Sequence, residues 1–292
     1  MRRRLFIILF IIVATAVVGV LAVYIVRPQL IQRIYDRATG KEPVSGLNVK
    51  PGRKVFPVKG IDISHHNGLI DFRRVAADSV DFVIIKATEG VNHTDSMMFH
   101  NWREARNAGI LVGFYHFFRF DRGGVRQGRH FLNAIGDMAT DMPLVIDFEV
   151  ANNPERDYYL VIGRLRDMAG YLRRRGRRVM IYCNHNEYDK YIRGNFDYLD
   201  LWLASGRLPA GDDRRHLWQH SHNGRVAGIS TPVDINTFNG SREEFIEWIN
   251  APAPQYRGPR MPQLPDTVPA TFGADTAAVE NSAARGAAGA IQ

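Results

Sequence analysis

The 292-residue sequence contains a single cysteine, Cys183, and this scarcity excludes several classes of protein. One thiol cannot form a disulfide within the chain, and it cannot build a zinc site from several cysteines. Residues 179–182 are apolar apart from a tyrosine hydroxyl, which predicts that Cys183 is a small buried side chain. No segment repeats at a fixed period, which argues against a repeat protein. The sequence implies no metal and no organic cofactor.

Acidic residues are outnumbered by basic ones, 30 against 38, so the formal net charge is +8. A basic surface suits an anionic partner such as nucleic acid, lipid headgroups or an acidic wall polymer. The alternative is that arginine-rich helix faces are simply solvated. The densest arginine cluster, residues 173–178, lies at a predicted helix end, where cations complement the helix dipole. We therefore predict no nucleic-acid partner.

Long apolar runs are scarce as well, with one exception near the N-terminus. Residues 5–26 are 22 positions without a charged side chain, long enough to cross a bilayer as a helix. The apolar core of a signal peptide is usually shorter, so we predict an uncleaved transmembrane anchor over residues 1–27. A cleaved signal peptide is the alternative. Arg2, Arg3 and Arg4 favour a cytoplasmic N-terminus, with the rest of the chain outside the cytoplasmic membrane.

The remaining chain divides into three parts that differ in composition and hydrophobic pattern. Residues 28–56 begin as a helical juxtamembrane segment and continue as a linker with scattered glycine and proline. Residues 57–250 alternate short apolar runs with helix-like stretches, which is typical of a folded domain. Residues 251–292 are rich in proline, alanine and glycine and predict a disordered tail.

Eight short apolar runs in the folded part predict eight strands, at residues 60–64, 81–86, 110–116, 143–147, 179–182, 199–204, 217–220 and 233–236. Helical patterns separate them at residues 95–107, 125–138 and 158–175. This alternation predicts a parallel α/β barrel of the TIM type. The last three strands are too closely spaced for full helices, so we expect the barrel to be irregular there.

Two carboxylates end the fourth predicted strand, within residues 142–150. Asp147 and Glu149 stand two positions apart, so in a strand they point to the same face. Two carboxyl groups held close in a poorly hydrated place raise each other's proton affinity. Such a pair is typical of enzymes that hydrolyse glycosidic bonds. The alternative is a pair of acids that cap a helix or form salt bridges at a strand end.

Other polar and aromatic residues are expected at the same end of the barrel. In this fold the active site lies at the carboxyl ends of the strands. The residues that the pattern places there are Asp62, Lys86, Tyr115, Asp147, Glu149, Tyr182, Trp202, Trp218, Asp234 and Asn236. Aromatic faces stack on sugar rings, and acids cleave the bond between them. His65 and His66 are adjacent on a strand and face opposite ways, which favours structural roles over a shared metal.

Several segments, taken in order, resemble one family. They are Lys59-Gly-Ile-Asp-Ile-Ser-His-His66, Val83-Ile-Ile-Lys-Ala-Thr-Glu-Gly90, Gly113-Phe-Tyr-His-Phe117, Asp147-Phe-Glu149, Leu201-Trp-Leu-Ala204, Trp218-Gln219 and Asp234-Ile-Asn236. Together they are similar to family 25 glycoside hydrolases, lysozymes that act as N-acetylmuramidases on peptidoglycan. The resemblance covers residues 58–250 and implies an irregular β/α barrel.

The resemblance also implies roles for single residues. Glu149 would donate a proton to the glycosidic oxygen, and Asp147 would orient or charge-stabilise the reacting sugar. Asp62 and Asp234 match the two remaining acids of the family. The substrate-binding residues would be Tyr115, Trp202, Lys86, Tyr182, Trp218 and Asn236. Whether a carboxylate or the substrate's own acetamido group attacks the sugar stays open at this stage.

The sequence departs from the family pattern at Phe148, near Gly206 and at His220. Phe148 is predicted to point away from the mouth, so these differences concern the sugar subsites and leave the four acids intact. We predict a monomeric, membrane-anchored enzyme of the bacterial cell envelope that acts on peptidoglycan. The alternatives are an inactive wall-binding module, which has no reason to keep four mutually repelling acids, and a hydrolase of another N-acetylhexosamine polymer.

Overall fold

The computed structural model describes residues 56–206 and 215–255, and these residues form a closed barrel of eight strands with one short strand added. The strands are β1 (Lys59–Ile63), β2 (Phe82–Glu89), β3 (His93–Thr94), β4 (Leu111–Phe117), β5 (Leu144–Asp147), β6 (Val179–Asn184), β7 (Asp200–Ala204), β8 (Arg215–Gly224) and β9 (Val233–Phe238). The sheet runs β1-β9-β8-β7-β6-β5-β4-β2, and β1 closes the ring by pairing with β2. The prediction of an eight-stranded barrel is confirmed, and only the two-residue β3 lies outside it.

The last barrel strand runs in the opposite direction from the prediction. Strands β1, β2 and β4 to β8 are parallel, whereas β9 is antiparallel to both β8 and β1. Residues 225–232 connect β8 to β9, and a parallel crossover needs a dozen or more residues. The chain therefore returns directly and β9 enters the barrel reversed. The N-terminal end of β9 consequently faces the mouth, and Asp234 lies at that end.

Within the described residues, five helices accompany the barrel: α1 (Phe72–Ala77), α2 (Met98–Asn107), α3 (Gly124–Ile135), α4 (Tyr158–Arg174) and α5 (Arg242–Asn250). Three of them have an N-terminal cap, in which a side chain accepts a hydrogen bond from a main-chain N–H of the first turn. Asp71 caps α1, Asp157 caps α4, and Ser241 forms a capping box with Glu244 at α5. Between β6 and β7 the chain makes only a single helical turn, His185–Glu187, followed by a π-helical turn, Tyr188–Ile192.

The core has two layers, because side chains alternate between the inside and the outside of the barrel wall. The interior layer contains Phe82, Ile84 and Met180, and Phe245 and Trp248 of α5 join it. The outer layer lies between the strands and the surrounding helices. It includes Cys183 and Phe148, both fully buried, so the predictions for these two side chains are confirmed. Burial raises the pKa of the Cys183 thiol well above its ordinary value.

In residues 56–206 and 215–255, no helix is both long enough and apolar enough to cross a membrane. The predicted anchor over residues 1–27 lies outside the described residues. So do nearly all of the predicted linker over residues 28–56 and most of the predicted tail over residues 251–292.

Helices α3 and α4 pack closely because two glycines of α3 face α4. A Cβ atom on Gly124 would lie 1.8 Å from the carbonyl oxygen of Arg164. We therefore expect Gly124→Ala to lower the free energy of unfolding by about 3 kcal/mol, since the helices must separate to admit the methyl group. Gly123→Ala is the matched control, because a Cβ there meets nothing within 4 Å. Urea unfolding measures both variants, and equal stabilities would contradict close packing at Gly124.

Candidate active site

One pocket opens at the carboxyl ends of the parallel strands and has a volume of about 220 Å³. Its lining residues are Asp62, Tyr115, Phe117, Asp147, Glu149, Tyr182, Trp202, His222 and Asp234. The structure thus brings together the four predicted catalytic acids and three of the six predicted substrate-binding residues. The barrel explains this convergence, because these residues lie on or next to five parallel strands and the start of the reversed β9.

Asp62 is the most firmly held of the four acids. Its Oδ2 accepts hydrogen bonds from the side-chain amides of Gln219, at 2.9 Å, and Asn236, at 2.7 Å. Asp234 is its register partner on β9. Burial and, secondarily, the neighbouring Asp234 carboxylate raise the pKa of Asp62 to about 8. Asp62 therefore carries a proton at neutral pH.

The same network orients two aromatic walls of the pocket. The Tyr182 hydroxyl donates to Oε1 of Gln219 at 2.7 Å, and the Trp202 indole N–H donates to Oδ1 of Asn236 at 2.9 Å. The two rings meet edge to face, with centroids 4.6 Å apart. Because an indole N–H can only donate, Trp202 determines which side of the Asn236 amide faces Asp62. Four side chains from four strands thus hold Asp62 in one geometry.

Asp147 ends β5 at the floor of the pocket and is 8% exposed. Its Oδ1 is buried and has no hydrogen-bond partner among the described residues. Burial first, and then the charge of Glu149, raise the pKa of Asp147 well above its ordinary value. A buried acceptor without a donor is costly, so the group is suited to receive a donor from a bound ligand.

Glu149 lies just beyond the end of β5 and is only partly buried. Burial and the nearby charge of Glu187 are the main causes that raise its pKa above 4.5. His222 and Lys86 oppose this shift, and Asp234 adds to it. A raised pKa with access to the pocket is what a proton donor requires near neutral pH. Asp147 and Glu149 both line the pocket, as their spacing predicts.

Three predicted substrate-binding residues do not line the pocket. Lys86 forms an ion pair with Glu89 at 2.9 Å and lies over the Phe117 ring. Asn236 is fully buried and acts on Asp62 instead. Trp218 does not face the pocket: its neighbour Gln219 points inward, so alternation turns Trp218 outward, where its indole N–H donates to the Ser205 carbonyl oxygen.

The structure also adds residues that the sequence pattern does not select for the site. His222 lines the pocket, and its Nδ1 lies 3.2 Å from Oδ1 of Asp234, a contact that raises the pKa of His222. No motif marks His222, because β8 changes register on either side of Ser221 and strand periodicity does not predict which way it points. Glu187 had a local signal, since Asn184 and Glu187 have the spacing of a capping box.

Histidines at the rim have structural contacts. Nδ1 of His65 lies 2.7 Å from Oδ2 of Asp95. His65 and His66 lie in a 3-10 turn after β1, not on a strand, and their rings are tilted by 39° with centroids 3.9 Å apart. Across the described residues, no group of three or more His, Cys, Asp or Glu side chains has the arrangement of a metal site.

Known proteins share both the sequence pattern and the fold. Residues 61–229 match the family model for glycosyl hydrolases of family 25. The autolytic lysozyme of Clostridium acetobutylicum is 34% identical over 184 residues, which are 62% of this chain and 56% of that protein. The chain therefore spans just over half the length of that relative. Lysozyme M1 of Streptomyces globisporus is 32% identical over 210 residues, covering 66% of this chain and 71% of that protein.

A solved structure has the same architecture. The bacterial lysozyme from Streptomyces coelicolor superposes with a TM-score of 0.59 at 30% identity, covering 66% of this chain and 97% of that one. The family match extends over more than half of the chain and includes Asp62, Asp147 and Glu149. On this evidence the chain belongs to the glycosyl hydrolases of family 25.

Proposed function

We propose that this chain is a lysozyme-type hydrolase of peptidoglycan, which cleaves the β-1,4 bond between N-acetylmuramic acid and N-acetylglucosamine. One observation carries the proposal. A partly accessible carboxyl group with a raised pKa, Glu149, shares a pocket with aromatic walls and with Asp147, a buried carboxyl group whose Oδ1 has no hydrogen-bond partner in residues 56–206 and 215–255. Family membership and the lysozymes among the relatives support the same reaction class.

Glu149 is the proton donor in this proposal. Its proton passes to the glycosidic oxygen as the bond from that oxygen to the sugar C1 breaks, so the leaving sugar departs as a neutral alcohol. The raised pKa keeps the carboxyl group protonated above the pH at which an ordinary glutamate would ionise. After the first step Glu149 is a carboxylate, and it then accepts a proton from the water that attacks C1.

Asp147 assists in orienting the reacting sugar. An N-acetyl sugar carries an amide N–H beside C1, and the free Oδ1 of Asp147 would accept it. This contact turns the acetamido oxygen toward C1, where it forms the new bond as the glycosidic bond breaks. The positive charge of the resulting ring lies next to Asp147, which stabilises it. Substrate assistance of this kind is a known variant of glycoside hydrolysis.

Product analysis tests the reaction directly. Purified peptidoglycan is digested with the full chain, and the released muropeptides are reduced and identified by mass spectrometry. We expect reducing ends of N-acetylmuramic acid. Reducing ends of N-acetylglucosamine would assign the other glycosidic bond, and cleavage of chitin oligomers alone would identify another N-acetylhexosamine polymer as the substrate. Binding to walls without release of products would indicate an inactive binding module.

We also propose that the chain is a monomer anchored in the bacterial cytoplasmic membrane, with its barrel on the outer side. The support is the uncharged run over residues 5–26 with arginines before it. Membrane fractionation of the full chain beside a chain without residues 1–27 measures this. Equal recovery of both in the soluble fraction would contradict an anchor.

A further inference from the structure

Glu187 is a buried carboxylate that the proposed reaction does not use. It is 5% exposed and lies in the single helical turn that follows β6. Both of its carboxylate oxygens accept main-chain N–H groups. Oε2 receives the N–H of Asn184 at 2.9 Å, and Oε1 receives the N–H of Val150 at 2.6 Å.

The second of these bonds connects two loops at the mouth of the barrel. Val150 directly follows Glu149, which lies beyond the last residue of β5 and so outside the regular ladder of the sheet. Four hydrogen bonds hold this segment. They are the Phe148 N–H on the Tyr182 carbonyl at 2.9 Å, the Asn153 side-chain amide on the Glu149 carbonyl at 2.8 Å, the Asn153 main-chain N–H on the Val150 carbonyl at 3.2 Å, and the Val150 N–H on Glu187. Of the four, only the last brings a charge close to Glu149.

Helix capping alone does not account for a glutamate at this position. In the capping box the side chain of residue N3 binds the N–H of the capping residue, and glutamine serves there as well as glutamate. That role occupies Oε2 only. The second oxygen is free to accept Val150, and a glutamine would offer an NH₂ group to one of the two N–H donors. Accepting the two main-chain donors on separate oxygens, as here, requires a carboxylate.

We propose that Glu187 is a positioning residue for the reaction: it holds the main chain at Val150 so that the Glu149 carboxyl group faces the pocket, and it places a buried negative charge beside that group. The inference rests on the proposed role of Glu149 as proton donor. Among the described residues, no lysine, arginine or histidine forms an ion pair with Glu187, so no side-chain cation within them neutralises it directly.

The charges around Glu149 support this assignment. Glu187 is the largest charge effect that raises the pKa of Glu149, after burial itself. Asp234 adds to the increase from β9, while His222 on β8 and Lys86 on β2 oppose it. Asp147 on β5 interacts with Glu149 as a second acid of the same pocket. Removing the charge of Glu187 should therefore lower the pKa of Glu149, because the effects of His222 and Lys86, which lower this pKa, would then be opposed by one negative charge fewer.

Two substitutions separate the effect of the Glu187 charge from the effect of its side-chain length. Glu187→Gln keeps the length and removes the charge, so we expect the alkaline limb of the kcat–pH profile to move to lower pH. Glu187→Asp keeps the charge and is one methylene too short for Val150, so we expect kcat to fall about tenfold with the alkaline limb in place. Both variants should change KM by less than about threefold.

Glu155→Gln is the matched control, because Glu155 is exposed in the loop between β5 and α4 and also loses one negative charge. We expect its profile to coincide with that of the wild-type chain. A lower unfolding temperature in Glu187→Gln with an unchanged profile and unchanged kcat would reduce Glu187 to a helix cap and overturn the proposal.

Hydrogen exchange in the wild-type chain tests the proposal even if the two variants do not fold. In the wild-type chain, the Val150 amide should exchange slowly although the residue is 45% exposed, because its N–H donates to Glu187. Fast exchange would overturn the proposal. If the wild-type chain releases no muropeptides, the proposed function is refuted. If the wild-type chain is active and both Glu187 variants have its kcat and its pH profile, only the positioning role is refuted.

Discussion

Replacing Glu149 with glutamine lowers kcat on peptidoglycan by an expected factor of about 10³, because the amide cannot give a proton to the leaving oxygen. The substitution changes neither the size of the side chain nor the loop around it. The main chain there is held through the Glu149 carbonyl by Asn153 and through the Val150 N–H by Glu187. KM should therefore stay within about threefold of the wild-type value, since the lost interaction acts on the transition state.

The measurement is the initial rate of muropeptide release at saturating substrate, with the unfolding temperature recorded for both chains. A leaving group that needs no protonation, such as a nitrophenol, should recover much of the lost rate of bond cleavage in the variant. Activity within tenfold of the wild-type rate on peptidoglycan would contradict the assignment of Glu149. Such a result would direct the search for the donor to Asp147.

Replacing Asp62 with asparagine should raise stability and lower activity at the same time. Asparagine has the shape of the protonated carboxyl group: its oxygen accepts from Gln219 and Asn236, and its NH₂ donates toward Asp234. Keeping this acid buried destabilises the folded wild-type protein near neutral pH, because burial and Asp234 raise the pKa of Asp62 from 3.8 to about 8. The variant avoids that cost.

The sign of the stability effect follows from proton linkage. Below pH 3.8 the carboxyl group is protonated in both the folded and the unfolded chain, so Asp62→Asn gains nothing there. As the pH rises toward 8, the unfolded wild-type chain releases a proton that the folded chain retains, and the wild-type chain loses stability relative to the variant. The full shift would amount to roughly 4 kcal/mol at pH 7. Since Asp234 remains, we expect about half of this, ~2 kcal/mol.

Urea unfolding at pH 4 and pH 7 tests this prediction, and the gain should appear mainly at pH 7. An equal or opposite effect at the two pH values would contradict a buried, protonated Asp62. In the same variant kcat should fall about tenfold. The Asp62 carboxyl group can release its proton when positive charge develops on the sugar, whereas the amide cannot.

Much of the barrel could be predicted from the sequence because the patterns that indicate its strands and helices are local. Short apolar runs between helical patterns predicted all eight barrel strands, and α4, the longest helix in the part of the chain that the structure describes, starts at the residue where its pattern begins. The spacing of Asp147 and Glu149 at the end of a buried strand placed both in the pocket. These features depend on strand and helix periodicity over ten or so residues, which the chain carries without tertiary contacts.

Other features depend on partners that are remote in the sequence. The bonds to Asp62 from Gln219 and Asn236 join residues 157 and 174 positions apart. The direction of β9 follows from a connection too short to cross the barrel, and the outward position of Trp218 follows from which neighbour on β8 packs inside. Periodicity indicates that a residue alternates, but it does not indicate which face becomes the interior.

The sequence by itself determined the order of the barrel strands, the helices between the early ones and the four acids of the candidate site. Only the tertiary structure decided how those acids differ. Asp62 accepts hydrogen bonds from two amides, the Asp147 Oδ1 has no hydrogen-bond partner in the part of the chain that the structure describes, and Glu149 is held beside the charge of Glu187. The physical reason is that burial and neighbouring charges set the pKa of a carboxyl group, and both arise only when distant segments pack together.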